Sequence, residues 1–384
     1  MSNQKRKQDI VVFSSDDWGW KTSKYQVSRR LANYSKVLFI SSIGFRKVKA
    51  SKDDFGRIIR KLKSFFNGVK KIDNNLFVMT PIVIPGSSNK IISWLNHLAF
   101  NWQLFFALRS IGIKNPIPLV FSQNWLSYLR NIKGVDKNKL VYYCVDEQSG
   151  FEGVDAKKFI DDDIELSKLA SQVYCSAKTL YEKMSVHNKN SNYFPHGVDY
   201  SLFNKALNKD IKKPQDMNKL NGPVLLFFGH ISYDWVDIDL LIYLAKEKPD
   251  WNILLLGRIS VDETFISDFE NIHYMGEKEI DELAAYCAYS DVGLIPFVNS
   301  NLTMNCNPLK LPEYLSAGLP VVSTYIPEVC SEKYTCVANS HEEFLACCDD
   351  ALRTNNEELK RIRSDSMKSR SWDFKVEQLY SKIS

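Results

Sequence analysis

The chain has 384 residues, 45% hydrophobic and 25% charged, which excludes a disordered or collagen-like protein and leaves room for two cores. Its formal charge is only +5, but residues 1–150 hold 25 Lys/Arg against 9 Asp/Glu, and the remainder 25 against 36. So one-sided a first part calls for an anionic partner: a lipid surface, a phosphorylated substrate or nucleic acid.

In chain order, the basic start is followed by "IVVF", too short for a signal-peptide core and closed by Asp16 and Asp17. It reads as the first strand of a cytosolic protein. "YQVSRRLANYS" has a helical pattern and "KVLFISS" a second strand. Residues 46–71 hold ten basic and two acidic residues. Within them, Phe55, Ile58, Ile59, Leu62, Phe65 and Phe66 share one helical face, with Arg57, Arg60, Lys61 and Lys63 around it. Such a helix either lies in a membrane interface or packs on a sheet. "LFVMTP" is the next strand. The aromatic segment 91–109 is too polar for a good membrane span and is expected to pack in the core, with membrane contact as the lesser reading. "IPLVFSQ", "LVYYCVD" and "VYCSA" complete the first series of strands. Asp161, Asp162 and Asp163 read as acids at a helix start.

Residues 200–223, polar and ending in Gly-Pro, read as a linker. The series then restarts with "PVLLFFGH", "WNILLLGR", "IHYMG", "VGLIPF", "PVVST" and "TCVA", separated by helical patterns such as "LIYLAKEKPD" and "EIDELAAYCAYS". Continuous apolar runs of this kind belong to parallel strands covered on both faces. The expected fold is α/β, with two Rossmann-like, doubly wound domains facing a cleft lined by strand carboxyl ends.

No P-loop, no G-x-G-x-x-G after the first strand and no nucleophile elbow is present. Eight cysteines without a C-x-x-C pair read as buried thiols rather than disulfides or a zinc site. Six histidines lack metal-ligand spacing, so no metal cofactor is expected. "DID" at 237–239 precedes an apolar helical run and reads as helix-start acids. The segment "NPLKLPEYLSAGLPVVST", residues 307–324, reads as a loop, a short helix with Pro312 at its first position, Gly318 past its end, and a buried strand. Lys310 and Glu313 then sit at a helix entrance, where unpartnered amides attract an anion.

These stretches together resemble the GT-B glycosyltransferases, and within them family 4, in a branch serving bacterial surface polysaccharides such as capsule or exopolysaccharide. "DDWGWKTSKYQVSRRLANYSKVLFISS" resembles the acceptor-side opening, "YYCVDEQSGFEG" and "YFPHGVD" the end of the first domain, and "PLKLPEYLSAGLPVVST" the donor motif. "SWDFKVEQLYSKIS" resembles the terminal helix that crosses back to the first domain. The resemblance implies an acceptor-binding domain over 1–204, a donor-binding domain over 205–365 and a returning helix over 366–384. It implies sugar transfer, with retention, from a nucleoside-diphosphate sugar to a membrane-associated, lipid-linked or polysaccharide acceptor. The enzyme would then sit at the inner face of the plasma membrane, with no metal or nucleic acid involved.

Residue by residue, Glu313 matches the acid that accepts hydrogen bonds from ribose hydroxyls. Lys310, with the amides of Leu309 and Lys310, matches the diphosphate contact. Asn305 stands where the family has its first acid, and the family's basic pair is missing after "LLFF", where Gly229 and His230 stand. Arg258 is the substitute cation. Asp16, Asp17, Trp18 and Trp20 after the first strand form the acceptor side, and Asp146 or Glu147 orients a hydroxyl. The alternatives are a nucleotide-sugar epimerase of the same fold or a degenerate nucleotide-sugar-binding subunit.

Overall fold

The computed structural model describes residues 8–19, 21–42, 68–84, 89–147, 155–208 and 210–384. Trp20 and the basic segment carrying Arg57, Arg60, Lys61, Lys63, Phe65 and Phe66 lie outside the described residues. The chain forms two compact units. The first comprises residues 1–176, 180–194 and 376–384; the second comprises 177–179 and 195–375.

Unit 1 is built on an eight-stranded sheet. Its strands are β1 (Ile10–Phe13), β2 (Val37–Ile40), β3 (Lys70–Asp73), β4 (Leu76–Met79), β5 (Ile117–Val120), β6 (Val141–Cys144), β7 (Gln172–Cys175) and β8 (Ser191–Tyr193). The order is β3-β4-β2-β1-β5-β6-β7-β8, parallel except for the antiparallel β3–β4 pair. Unit 2 has β9 (Val224–Phe228), β10 (Asn252–Leu256), β11 (Ile272–Tyr274), β12 (Val292–Ile295), β13 (Val321–Thr324) and β14 (Thr335–Ala338). Their order is β11-β10-β9-β12-β13-β14, parallel throughout.

Every apolar run read as a strand forms one. The residues of β1, β2, β5, β6, β9 and β10 are all buried, as parallel strands covered on both faces must be. Each sheet reverses its order once, at β1/β5 in unit 1 and at β9/β12 in unit 2. Crossovers leave opposite faces there, opening a crevice at the strand carboxyl ends. The residues expected to bind follow β1, β6, β9 and β10 or open the helix before β13.

Several expectations are corrected. Residues 200–223 are no bare linker: Met217 is fully buried in the unit 2 core, and Asp216 accepts from Lys278 and Tyr286, both at 2.7 Å. The acidic triplet lies inside the helix Ala156–Leu169, whose cap is Asp155; Asp163 is buried and accepts a hydrogen bond from the Tyr142 hydroxyl. Asp237 does cap its helix, Ile238–Glu247, accepting from the Leu240 amide at 2.9 Å. Cys336 on β14 and Cys347 on the helix His341–Thr354 form a disulfide with Cα atoms 5.9 Å apart. Strand and helix bring the two together, which a search for C-x-x-C spacing cannot detect. The segment 91–109 forms the helix Lys90–Ser110, and one of its sides is exposed.

Candidate functional site

Within 307–324 the chain forms the helix Lys310–Ser316, with Leu309 as its cap residue. Pro312 is therefore its third residue, not its first, but its missing N–H is still one that the helix would leave unpaired. Gly318, at φ +85°, ends the helix. Its amide donates to Leu315 O at 2.9 Å and that of Leu319 to Tyr314 O at 3.0 Å, the paired closure that favours glycine. The buried Arg363 donates to Gly318 O at 2.8 Å and fixes this end from outside.

Tyr314 ties the helix to the sheet's reversal point. The β9–β12 ladder stops at Leu226–Gly293. Beyond it, the Tyr314 hydroxyl donates to Leu226 O at 3.0 Å and accepts from Phe228 N at 3.2 Å, serving two strand groups that a neighbour would otherwise pair. A Cβ on Gly293 would stand 2.5 Å from the Tyr314 ring, so the strand glycine makes room for the tyrosine. Tyr314→Phe should leave both backbone groups buried and unpaired and lower stability by about 1–3 kcal/mol. Urea unfolding of the full chain measures this, and an unchanged midpoint would show that the hydroxyl does not matter.

This bracing brings Lys310 over the switch point. Its Nζ lies 4.9 Å from the centroid of Phe227 on β9 and 4.2 Å from that of Phe297 just after β12. A Cβ on Gly229 would lie 3.5 Å from Lys310 Cε and Nζ, so the glycine gives the ammonium space over the strand end. Burial pulls the Lys310 ammonium down to about 8, opposed by Cys306 and Glu313. Burial pushes the Glu313 carboxyl up to about 8, opposed by Lys310 and reinforced by Asp199. Below that pH the ammonium is charged and the carboxyl protonated.

The next strand end meets this one backbone to backbone. Gly229 N donates to Leu256 O at 2.9 Å and Ile231 N to Arg258 O at 2.8 Å. Arg258 is exposed. His230, also exposed, shares a 2.8 Å hydrogen bond with Ser260; partial burial, and then the Arg258 charge, lower its pKa. That shift favours its neutral form, so of the basic residues expected here Lys310 and Arg258 carry the charge. Asn305 caps the short helix Asn301–Met304 and turns its amide back to Asn301 O at 2.8 Å.

One residue of this region was missed in the sequence. Glu328, buried after β13, accepts from the Asn307 amide at 3.3 Å and from the backbone N–H of Lys178. It anchors the loop that delivers Leu309 and Lys310. A lone acid in the apolar run "VVSTYIPEVC" was the available signal. A separate cavity of about 400 Å³ in unit 2 is lined by Asp237, Asp239, Asp262 and Asp268, among others, and so disfavours anions.

In unit 1, Asp16 accepts from Thr22 and Lys24, each at 3.0 Å, and so organises the turn after β1. Asp17 is exposed. Trp18, expected on the acceptor side, packs on Tyr25 and Phe39 with centroids 4.6 and 5.0 Å away. Asp146 is partly exposed after β6. Burial pushes its carboxyl up, Lys24 opposes this, and Asp16 adds to it. Glu147 is buried and paired with Lys183 at 2.5 Å, so Asp146 is the better placed of the two to meet a ligand.

Residues 222–354 match the family model for Glycosyl transferases group 1. Unit 2 is therefore similar to group 1 glycosyl transferases over that stretch. Its matched segment runs from the entry to β9 through the helix after β14 and so contains Gly229, Arg258, Lys310 and Glu313. The Bacillus subtilis protein named as a teichuronic acid biosynthesis glycosyltransferase, TuaH, is 27% identical over 56% of this chain and 57% of its own. The chain spans about half the length of the curated relatives it matches.

Solved structures match nearly the whole chain. Sucrose-phosphate synthase from Thermosynechococcus elongatus gives a TM-score of 0.69 at 13% identity, covering 98% of this chain and 99% of its own. Anabaena HepE, solved with UDP and glucose, gives 0.65 at 13% identity over 98% and 99%. These likenesses show the GT-B fold. No helix among the described residues is long and apolar enough to cross a membrane.

Proposed function

We propose that the chain is a family 4 glycosyltransferase that uses a nucleoside-diphosphate sugar and builds a bacterial surface polysaccharide. The observation that carries this reading is the convergence of Lys310, Glu313 and Gly229 at the β9/β12 switch point, within the stretch similar to group 1 glycosyl transferases. Lys310 and Arg258 hold the diphosphate, and Glu313 meets the ribose hydroxyls. Lys310 also stabilises the charge that gathers on the leaving diphosphate, the role of fixed charge in a partly buried site. Asn305, whose amide nitrogen is bonded to Asn301, would meet a sugar hydroxyl through its amide oxygen.

Transfer proceeds with retention. The bond from the anomeric carbon to the diphosphate breaks as the bond to the acceptor oxygen forms, and the acceptor's proton passes to the leaving phosphate oxygen. Asp146 orients the acceptor hydroxyl. The acceptor is lipid-linked at the inner face of the plasma membrane, in keeping with the excess of basic residues in residues 1–150. The teichuronic acid biosynthesis in TuaH's name supports a surface polysaccharide.

The test is a thermal-shift screen against nucleotide sugars, followed by mass detection of sugar transfer or release. One nucleotide sugar should raise the Tm of the wild type. Glu313→Ala should lose that shift and nearly all turnover with its own Tm little changed. Undiminished nucleotide affinity and turnover in the variant would remove Glu313 from the site.

A further inference from the structure

The helix Lys90–Ser110 has two apolar sides. Asn96, Phe100, Leu104, Ala107 and Leu108 are buried, and Phe100 packs on Phe13, Trp125 and Tyr128. On the other side, Ile91, Trp94, Leu98, Trp102, Phe105 and Phe106 are exposed, Trp94 by 62% and Trp102 by 57%. At about 100° per residue these six fall within a sector of roughly 120°, directly opposite the buried stripe. A helix on a protein surface turns polar residues outward, and an apolar strip of this length marks an interaction site.

The charges around the strip indicate what it meets. No Asp or Glu occurs from Asn74 to Val135. Lys90 and Arg109, both exposed, stand at the two ends of the helix, and Lys114 and Lys133 are exposed nearby. A second copy paired antiparallel through this face would set Lys90 against the partner's Arg109, a like-charge contact at each end. An anionic bilayer instead attracts every one of these charges and accepts tryptophan at the level of its headgroups. We propose that this face of unit 1 inserts shallowly, in the plane of the interface, into an anionic membrane. The proposal rests on the membrane-acceptor reading above but adds the surface that makes the contact.

The test uses the full chain and sedimentation with vesicles of phosphatidylglycerol or of phosphatidylcholine. Wild type should bind the former and bind the latter weakly. Replacing Trp94, Trp102, Phe105 and Phe106 together by serine should lower partition about a hundredfold, and Lys90→Glu with Arg109→Glu about tenfold, the latter effect shrinking in salt. Brominated lipids should quench tryptophan emission, and Trp94→Phe with Trp102→Phe should remove most of that quenching while keeping aromatic bulk. Wild-type partition in the serine variant, or wild type that ignores phosphatidylglycerol, overturns the proposal. So does light scattering showing a dimer that the serine variant dissolves, which would give the face to a second copy. Nucleotide-sugar binding, measured in parallel, should be unchanged in every variant. Vesicle binding without nucleotide-sugar binding would instead sink the transferase reading and leave the membrane face standing.

Discussion

Lys310→Ala is expected to cut sugar transfer by about 10²–10³-fold, the size found when one fixed electrostatic contact to a developing charge is removed. Lys310→Arg should lose less, because the charge remains even if the wider guanidinium fits poorly between Phe227, Phe297 and Gly229. The wild-type pH profile follows from the same geometry. Below about 8 the site holds an ammonium and a protonated carboxyl; above it, the site loses the positive charge and gains a negative one. Affinity for a nucleoside diphosphate should therefore fall as pH rises through 8, by up to about tenfold per unit for each proton involved. The corresponding nucleoside, lacking phosphates, should show no comparable fall. Calorimetry at several pH values checks this. If nucleoside and nucleoside diphosphate keep the same affinity ratio in wild type and Lys310→Ala, Lys310 does not touch the phosphates.

Gly257→Ala should be the most damaging small substitution in unit 2. Gly257 has φ +122°, and a Cβ there would lie 2.1 Å from Gly229 O and 2.9 Å from its carbonyl carbon. Both obstacles are backbone, so no rotamer change relieves them. Strain and overpacking together should cost about 3–5 kcal/mol. Gly276→Ala is the control: φ is +71°, but its Cβ would meet nothing within 4 Å. Conformational strain alone should then cost about 1 kcal/mol. Urea midpoints of the two variants measure the difference. Equal midpoints would mean that the turns after β9 and β10 are not packed backbone to backbone.

The strands were legible because a parallel strand buried on both faces must be apolar throughout, as in "IVVF", "VLLFF" and "NILLL". The two that escaped lack that signal. β3 is "KKID", fully exposed, and β8 is "SNY"; an edge strand needs only backbone partners. Lys310 and Glu313 were legible as charges set in an apolar stretch. The parts that position them were not. Tyr314 reads as one more apolar helix residue until its hydroxyl is seen bridging Leu226 and Phe228. Glu328 lies fifteen residues after Glu313 in sequence and acts through Asn307. The exposed side of the helix Lys90–Ser110 was hidden for the opposite reason. With apolar residues on both sides its pattern has no polar face, so the sequence favoured the core and gave the outward side only as the lesser reading of membrane contact.

The division of the chain also sets an order of biosynthesis. Residues 376–384 belong to unit 1, where Tyr380 stacks on Tyr34 at 5.1 Å and Lys382 O accepts from Gln172 at 3.2 Å. They leave the ribosome only after all of unit 2 has been made. The unit that starts earlier in the sequence is thus the last to be completed, and the Gln172 side-chain amide at the start of β7 waits for its Lys382 acceptor while unit 2 can already close its own sheet. Nascent chains are most prone to misassembly in such intervals. A growing polypeptide would spend its vulnerable period in the half that was synthesised first.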